Sequence, residues 1–102
     1  MRDGYRQTTT VTLSASGAAL DPKPGLVLDG FAVMETAGAA GAWRMYAGTS
    51  TAGVKKYNFS LSANQSTGEE NMNIPISEGL YIEEVSGTST IELIVQWHVV
   101  VV

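Results

Sequence analysis

Residues Ile91 to Val102 (IELIVQWHVVVV) alternate with a period of two. A strand sends successive side chains to opposite faces, so Ile91, Leu93, Val95, Trp97, Val99 and Val101 form one apolar face. The even positions begin mostly polar, with Glu92, Gln96 and His98, and finish apolar, with Val100 and Val102. One face is therefore core throughout, and the far end is apolar on both faces. Chain termini normally fray in solvent. An apolar end predicts cover, and in so small a chain that cover is expected from another subunit. The thirteen residues from Thr90 to Val102 would span about 43 Å at ~3.3 Å each. Strands of a small sandwich run to about 17–20 Å. The surplus is expected to project toward a neighbour, or to bend and change sheets.

The rest of the chain reads the same way. Residues 5–15 alternate, with Val11, Leu13 and Ala15 on one face, and the run Thr8-Thr9-Thr10 favours a strand. Residues 16–25 (SGAALDPKPG) read as a loop. Residues 26–35 form a strand whose inward positions are Leu26 and Leu28 before Gly30, then Phe31 and Val33 after it. A parity switch at a glycine predicts a β-bulge. Further strands follow at 42–47, with Trp43 and Met45 inward, and at 54–62, with Tyr57, Phe59 and Leu61 inward. Residues 63–70 read as a polar loop. Residues 71–76 place Met72, Ile74 and Ile76 on one face, and Pro75 marks that strand as an edge. Residues 80–85 and 90–102 flank Ser86-Gly87-Thr88-Ser89, a hairpin signal. Symmetric pairing about that turn sets Ile82 opposite Leu93 and Leu80 opposite Val95. About seven strands at 8–12 residue spacing, without helical periodicity, predict an all-β sandwich or barrel.

At 102 residues the chain is one domain. Charged residues make up only 16%, well under the usual quarter. Gly, Ser, Thr and Ala take their place, which suits short strands, small turns and an uncharged contact surface. The net charge is −4. The basic residues Arg2, Arg6, Lys23, Arg44, Lys55 and Lys56 form no stripe, so nucleic acid is not an expected partner. No cysteine is present, which removes thiolate chemistry and disulfides. No apolar run reaches the ~18 residues of a membrane helix, and the N-terminal MRDGYRQTTT lacks the apolar stretch of a signal peptide.

The chemistry-bearing residues are few. His98 is the single histidine, and no GxSxG or comparable nucleophile motif accompanies it. It reads as a surface or interface residue. A histidine or cysteine metal cluster is excluded by count. GAAGAW lacks the lysine and the following helix of a phosphate loop. In the hairpin register, Glu83 and Glu92 face each other at the spacing of a retaining glycosidase pair. The plainer reading is a solvated or partner-facing surface, with Arg44 as the expected counter-ion. Trp43 and Tyr57 follow inward parity. Tyr46 and Tyr81 are the outward pair and the candidate ligand-facing aromatics for sugar stacking. No catalytic, cofactor or metal residues are assigned, and the chain is not expected to be an enzyme.

Two stretches, GFAVMETAGAAGAWRMYAGTSTAG (30–53) and GLYIEEVSGTSTIELIV (79–95), together resemble small β-sandwich virion proteins of tailed phages and prophages. The resemblance covers a little under half of the chain, and its motifs are turn and core residues. It implies a single-domain, antiparallel, jelly-roll-like sandwich of about seven to eight strands over residues 1–102. Residues 1–7 are then a candidate N-terminal arm, and residues 97–102 a candidate interface extension. It implies a capsid decoration (cement) protein, made in the host cytoplasm and carried on the virion surface, with no cofactor. Its expected partners are itself, as a homotrimer, and the major capsid protein, with neither nucleic acid nor membrane. The candidate self or capsid interface is Tyr5, Arg6, Trp97, Val99, Val100, Val101 and Val102. The alternative is a tail- or fibre-associated module that binds a host-surface glycan through Tyr46 and Tyr81.

Overall fold

The computed structural model describes residues 2–3 and 5–101. Its strands are β1 (Arg2–Asp3), β2 (Gln7–Leu13), β3 (Gly17–Leu20), β4 (Leu26–Glu35), β5 (Gly41–Ala47), β6 (Val54–Leu61), β7 (Ser66–Glu69), β8 (Ile74–Pro75), β9 (Leu80–Gly87) and β10 (Ile91–Val101). Their pairing describes one long antiparallel ribbon. β2 runs along β10, β3 along β9, β4 along β7 and β8, and β5 along β6. The turn at 48–53 closes it, where the Gly53 N–H donates to the Ser50 carbonyl at 3.1 Å.

This ribbon is rolled so that β4 also pairs with β10 and β5 with β9. β1 continues β2 along the same edge of β10, and β8 follows β7 along the edge of β4. Eight strand positions result, in the orders β2-β10-β4-β7 and β3-β9-β5-β6. The chain is a single all-β sandwich of the jelly-roll type.

The alternating apolar positions meet between the two sheets. Leu28, Met45, Ile76, Leu80, Ile82, Ile91, Leu93 and Val95 are wholly buried, with Trp43 almost so. Phe31 stacks edge-on to Tyr57 at 5.3 Å and lies 5.6 Å from Phe59. These contacts tie β4 of one sheet to β6 of the other. The parity switch in β4 is a bulge, as its sequence implied. Gln96 pairs with Gly30 and Trp97 with Leu28, which leaves Asp29 as the extra residue. Ala15, expected inward, lies beyond the end of β2 and is exposed.

The expected hairpin between 80–85 and 90–102 does not form. β9 lies in one sheet and β10 in the other, so Ile82 and Leu93 enter the core from opposite sides. Alternation reveals which face of a strand is apolar but not which strand lies beside it. Residues 86–90 cross between the sheets instead of turning in solvent. Ser89 is buried, and its hydroxyl accepts the Trp43 indole N–H at 2.9 Å. A Cβ on Gly87 would lie 2.2 Å from the Ala40 carbonyl oxygen, since this glycine closes the β5–β9 pairing.

Two segments expected as loops carry strands. β3 precedes Pro22 and Pro24, whose breaking effect starts only after Leu20. β7 is exposed along its whole length, so no apolar pattern could reveal it; backbone pairing to Phe31–Met34 holds it. β8 keeps only two residues, Ile74–Pro75, of the strand expected at 71–76. Its Pro75 lies on an edge, where the missing N–H costs nothing.

Gly41 has no room for a side chain: a Cβ would lie 1.9 Å from the Ser89 hydroxyl oxygen. Gly41→Ala is expected to break the Trp43–Ser89 hydrogen bond and cost about 2 kcal/mol or more, read as a lower denaturant midpoint with an unchanged slope.

Candidate functional site

The functional residues fall into three polar clusters and one open face. The first cluster is centred on Glu35, the last residue of β4. The residue is 1% exposed, and its carboxylate accepts five backbone N–H groups. Oε1 takes Gly38, Ala39 and Asn64 at 2.8, 3.0 and 3.0 Å, and Oε2 takes Ala37 and Thr90 at 2.8 and 3.1 Å. Burial alone would raise the pKa of this carboxyl. The N–H groups of Asn64, Ala37, Thr90 and Ala39 outweigh it and bring the pKa from 4.5 to about 2.

Glu35 thus gathers the β4–β5 connection, the β6–β7 turn and the start of β10 around one charge. The residues ETAG, within the first segment of the virion resemblance, are this carboxylate and the turn that it organises. Thr90, in the second segment, reaches the same carboxylate. Glu35 was not among the candidate site residues. Its one sequence signal is an acidic residue at an inward strand position, directly before a small-residue turn.

The second cluster joins Arg6, Asp29 and His98. The bulge turns the Asp29 carboxylate toward β10, where His98 Nδ1 lies 2.9 and 2.8 Å from its two oxygens. A carboxylate only accepts, so Nδ1 carries the hydrogen. Arg6 Nε stands 3.5 Å away on the solvent side. The side chains of Asp29 and His98 are 8% and 15% exposed. Arg6, expected as an interface residue, thus has a partner within the domain. Sequence spacing could not pair His98 with Asp29, since the bulge sets the approach.

The third cluster lies on the β5–β9 sheet. Arg44 pairs with Glu83 in register, Nη1 to Oε1 at 3.8 Å, and the Tyr46 hydroxyl donates to the same Oε1 at 2.8 Å. Arg44 is the counter-ion of Glu83, as expected. Glu92 lies in the other sheet, so the proposed Glu83–Glu92 pair does not exist. Tyr46 is 8% exposed with its hydroxyl engaged, and does not offer the open stacking face expected of it. Tyr81, opposite it across the strands, is half-buried.

The terminal apolar segment is largely covered by its own domain. Trp97 and Val99 are half-buried against the core. The Trp97 indole N–H donates to the Thr9 hydroxyl at 2.9 Å, and the Lys23 ammonium sits 5.0 Å above the ring. Val99 pairs with Leu26, and the Val100 N–H donates to the Gly25 carbonyl at 2.8 Å. On the other side Val100 pairs with Asp3 and Val101 with Arg2. Val102 lies outside the described residues. β10 is thus paired as far as Val101, with β4 up to Val99 and with β1 beyond it. Tyr5, by contrast, is 85% exposed.

The open face is the outer side of the β2-β10-β4-β7 sheet. Thr8, Thr10 and Thr12 of β2, Ala32 and Met34 of β4 and Ser66 of β7 are exposed there, and Ile94 is half-buried. Met34 is 50% exposed. A shallow depression of about 170 Å³ is lined by Ala32, Met34, Ser66, Glu92 and Ile94. Glu92 is the one charged residue lining it. A second hollow of about 580 Å³ lies between the 48–53 turn and residues 75–78, with Lys56 and Glu78 on its wall and no aromatic side chain.

Comparison of the chain with protein-family models, with curated proteins and with solved structures returned no match.

Proposed function

We propose that this protein is a virion structural component of a tailed phage or prophage, docked as a cement protein on the outer head surface. It would be made in the host cytoplasm and bind the major capsid protein. The observation that carries the proposal is the outer face of the β2-β10-β4-β7 sheet around its depression: rich in threonine, with Ala32, half-exposed Met34 and Ile94 beside the single charge of Glu92. Such a face loses little on desolvation, because few charges must give up water. The resemblance of residues 30–53 and 79–95 to virion proteins supports the same reading. The eight-position jelly roll occurs in viral capsid domains but also in lectins and cupins, so the fold supports the reading by analogy alone.

In mechanism, docking across the joint between capsid subunits adds buried area that shell rupture must expose. The test uses heads assembled from the major capsid protein of the same genome, stripped of accessory proteins. The wild-type chain is expected to co-sediment with them and raise their rupture temperature. Ala32→Lys, which places a charge at an exposed site opposite Ile94, should fold normally and lose at least tenfold in binding. Heads that never retain the wild-type chain would overturn the proposal.

A further inference from the structure

We propose that the chain forms a two-fold dimer by antiparallel pairing of β2 with β2 of a second copy. The inference extends the virion reading, but its test does not depend on it. Each sheet has two edges, and three of the four are shielded in ways that prevent strand addition. β6 carries the adjacent Lys55 and Lys56. The β7–β8 edge carries Glu69 and Pro75. β3 is four residues long with a register shift between Ala18 and Leu20. β2 has none of these devices. It is seven residues, QTTTVTL, without charge, proline or bulge, paired in unbroken register with β10 on one side. Among the described residues, no strand pairs with its other side.

The register follows from β2 itself. Its inner positions Thr9, Val11 and Leu13 are half-buried, and its outer positions Thr8, Thr10 and Thr12 are exposed. Two copies keep inner residues beside inner residues only if paired positions have the same parity. Centring the two-fold on Thr10 satisfies this and is the register that uses all seven residues. It sets Thr10 beside its own copy, Thr8 beside Thr12, Thr9 beside Val11 and Gln7 beside Leu13. Val11 and Leu13 then gain cover that the single chain does not give them. Arg6 would fall beside Ser14, so no like charges oppose each other.

A two-fold uses one self-complementary edge, whereas a ring of three needs a second, different edge. The other edges here are the shielded ones, which favours a dimer over the trimer expected from the resemblance. The dimer would join two outer faces into one continuous surface, with the threonine rows at its centre.

Sedimentation equilibrium of the whole chain from micromolar to millimolar concentration tests this. The wild-type mass is expected to rise from 10.8 kDa toward twice that value. Thr10→Lys, an exposed site, sets two positive charges side by side at the centre and should hold the mass at one chain, with the melting temperature of dilute protein unchanged. Two double variants test the register. Thr8→Glu with Thr12→Lys, whose lysine faces Glu92 of its own chain as in the control, places opposite charges together twice and should dimerise with a salt-sensitive constant. Thr8→Lys with Thr12→Lys should stay monomeric. A wild-type mass of one chain at every concentration, a Thr10→Lys variant that dimerises like wild type, or two double variants that behave alike would overturn the inference. Failure to bind heads would leave these masses unaffected, so the two proposals fail separately.

Discussion

Replacing Glu35 by glutamine is expected to lower the melting temperature by more than about 10 °C at neutral pH, which would be a severe effect for a domain of this size. The size of the effect follows from the five N–H groups around the carboxylate. The glutamine amide keeps one oxygen and turns an NH₂ toward donors that need an acceptor. Buried donors without partners cost their full desolvation. Three connections would loosen together, because residues 37–39, Asn64 and Thr90 all bind this one side chain.

The pH dependence has a definite sign. The pKa of Glu35 is depressed in the fold, to about 2 from an ordinary 4.5. Its stabilisation is therefore fully present above about pH 4.5 and is lost as pH falls toward about 2. Thermal denaturation of wild type and Glu35→Gln across this range should show the gap between them narrowing as acid is added. A gap independent of pH would mean that the carboxylate charge is not what holds the turns.

Removal of residues 99–102 is expected to destabilise the domain by about 2–3 kcal/mol, and not to release an intact domain that has merely lost a docking segment. Val99 packs against the core beside Leu26, and Val100 is bonded to the Gly25 carbonyl. A Cβ on Gly25 would lie 2.3 Å from the Val100 carbonyl oxygen, and Gly25 has a φ of +76°. The backbone at this turn is thus shaped around the last residues of β10. Urea denaturation of the truncated chain measures the loss directly. An unchanged midpoint would show that the segment is an accessory after all.

Much of the architecture was legible in the residues. Alternation at 26–35, 42–47, 54–62, 80–85 and 90–102 marks strands because burial on one face imposes a period of two. The bulge was readable as a change of parity at Gly30. Strands β3 and β7 were not: GAAL and STGE have no apolar alternation, since Ala19 and Leu20 of β3 are buried side by side and the exposed β7 is held by backbone pairing. The site was less legible than the fold. Tyr46 has outward parity, but only its neighbours decide that it is covered and bonded to Glu83. The Asp29–His98 pair depends on a bulge that displaces one residue by a single position.

The terminal run IELIVQWHVVVV marks the same division. By itself it determined that β10 is a strand with one wholly apolar face, because side-chain direction follows from backbone geometry within a few residues. Which strands lie on either side was decided only by the tertiary structure. There, β4 and the Gly25 turn cover one edge, and β1 and β2 the other. The hairpin expected from Ser86-Gly87-Thr88-Ser89 gave way to a crossing between sheets for the same reason. Local pattern sets which residues must leave water. Long-range competition for partners sets where they go, and here Trp43, Ser89 and Glu35 take the groups that a hairpin turn would have left in solvent.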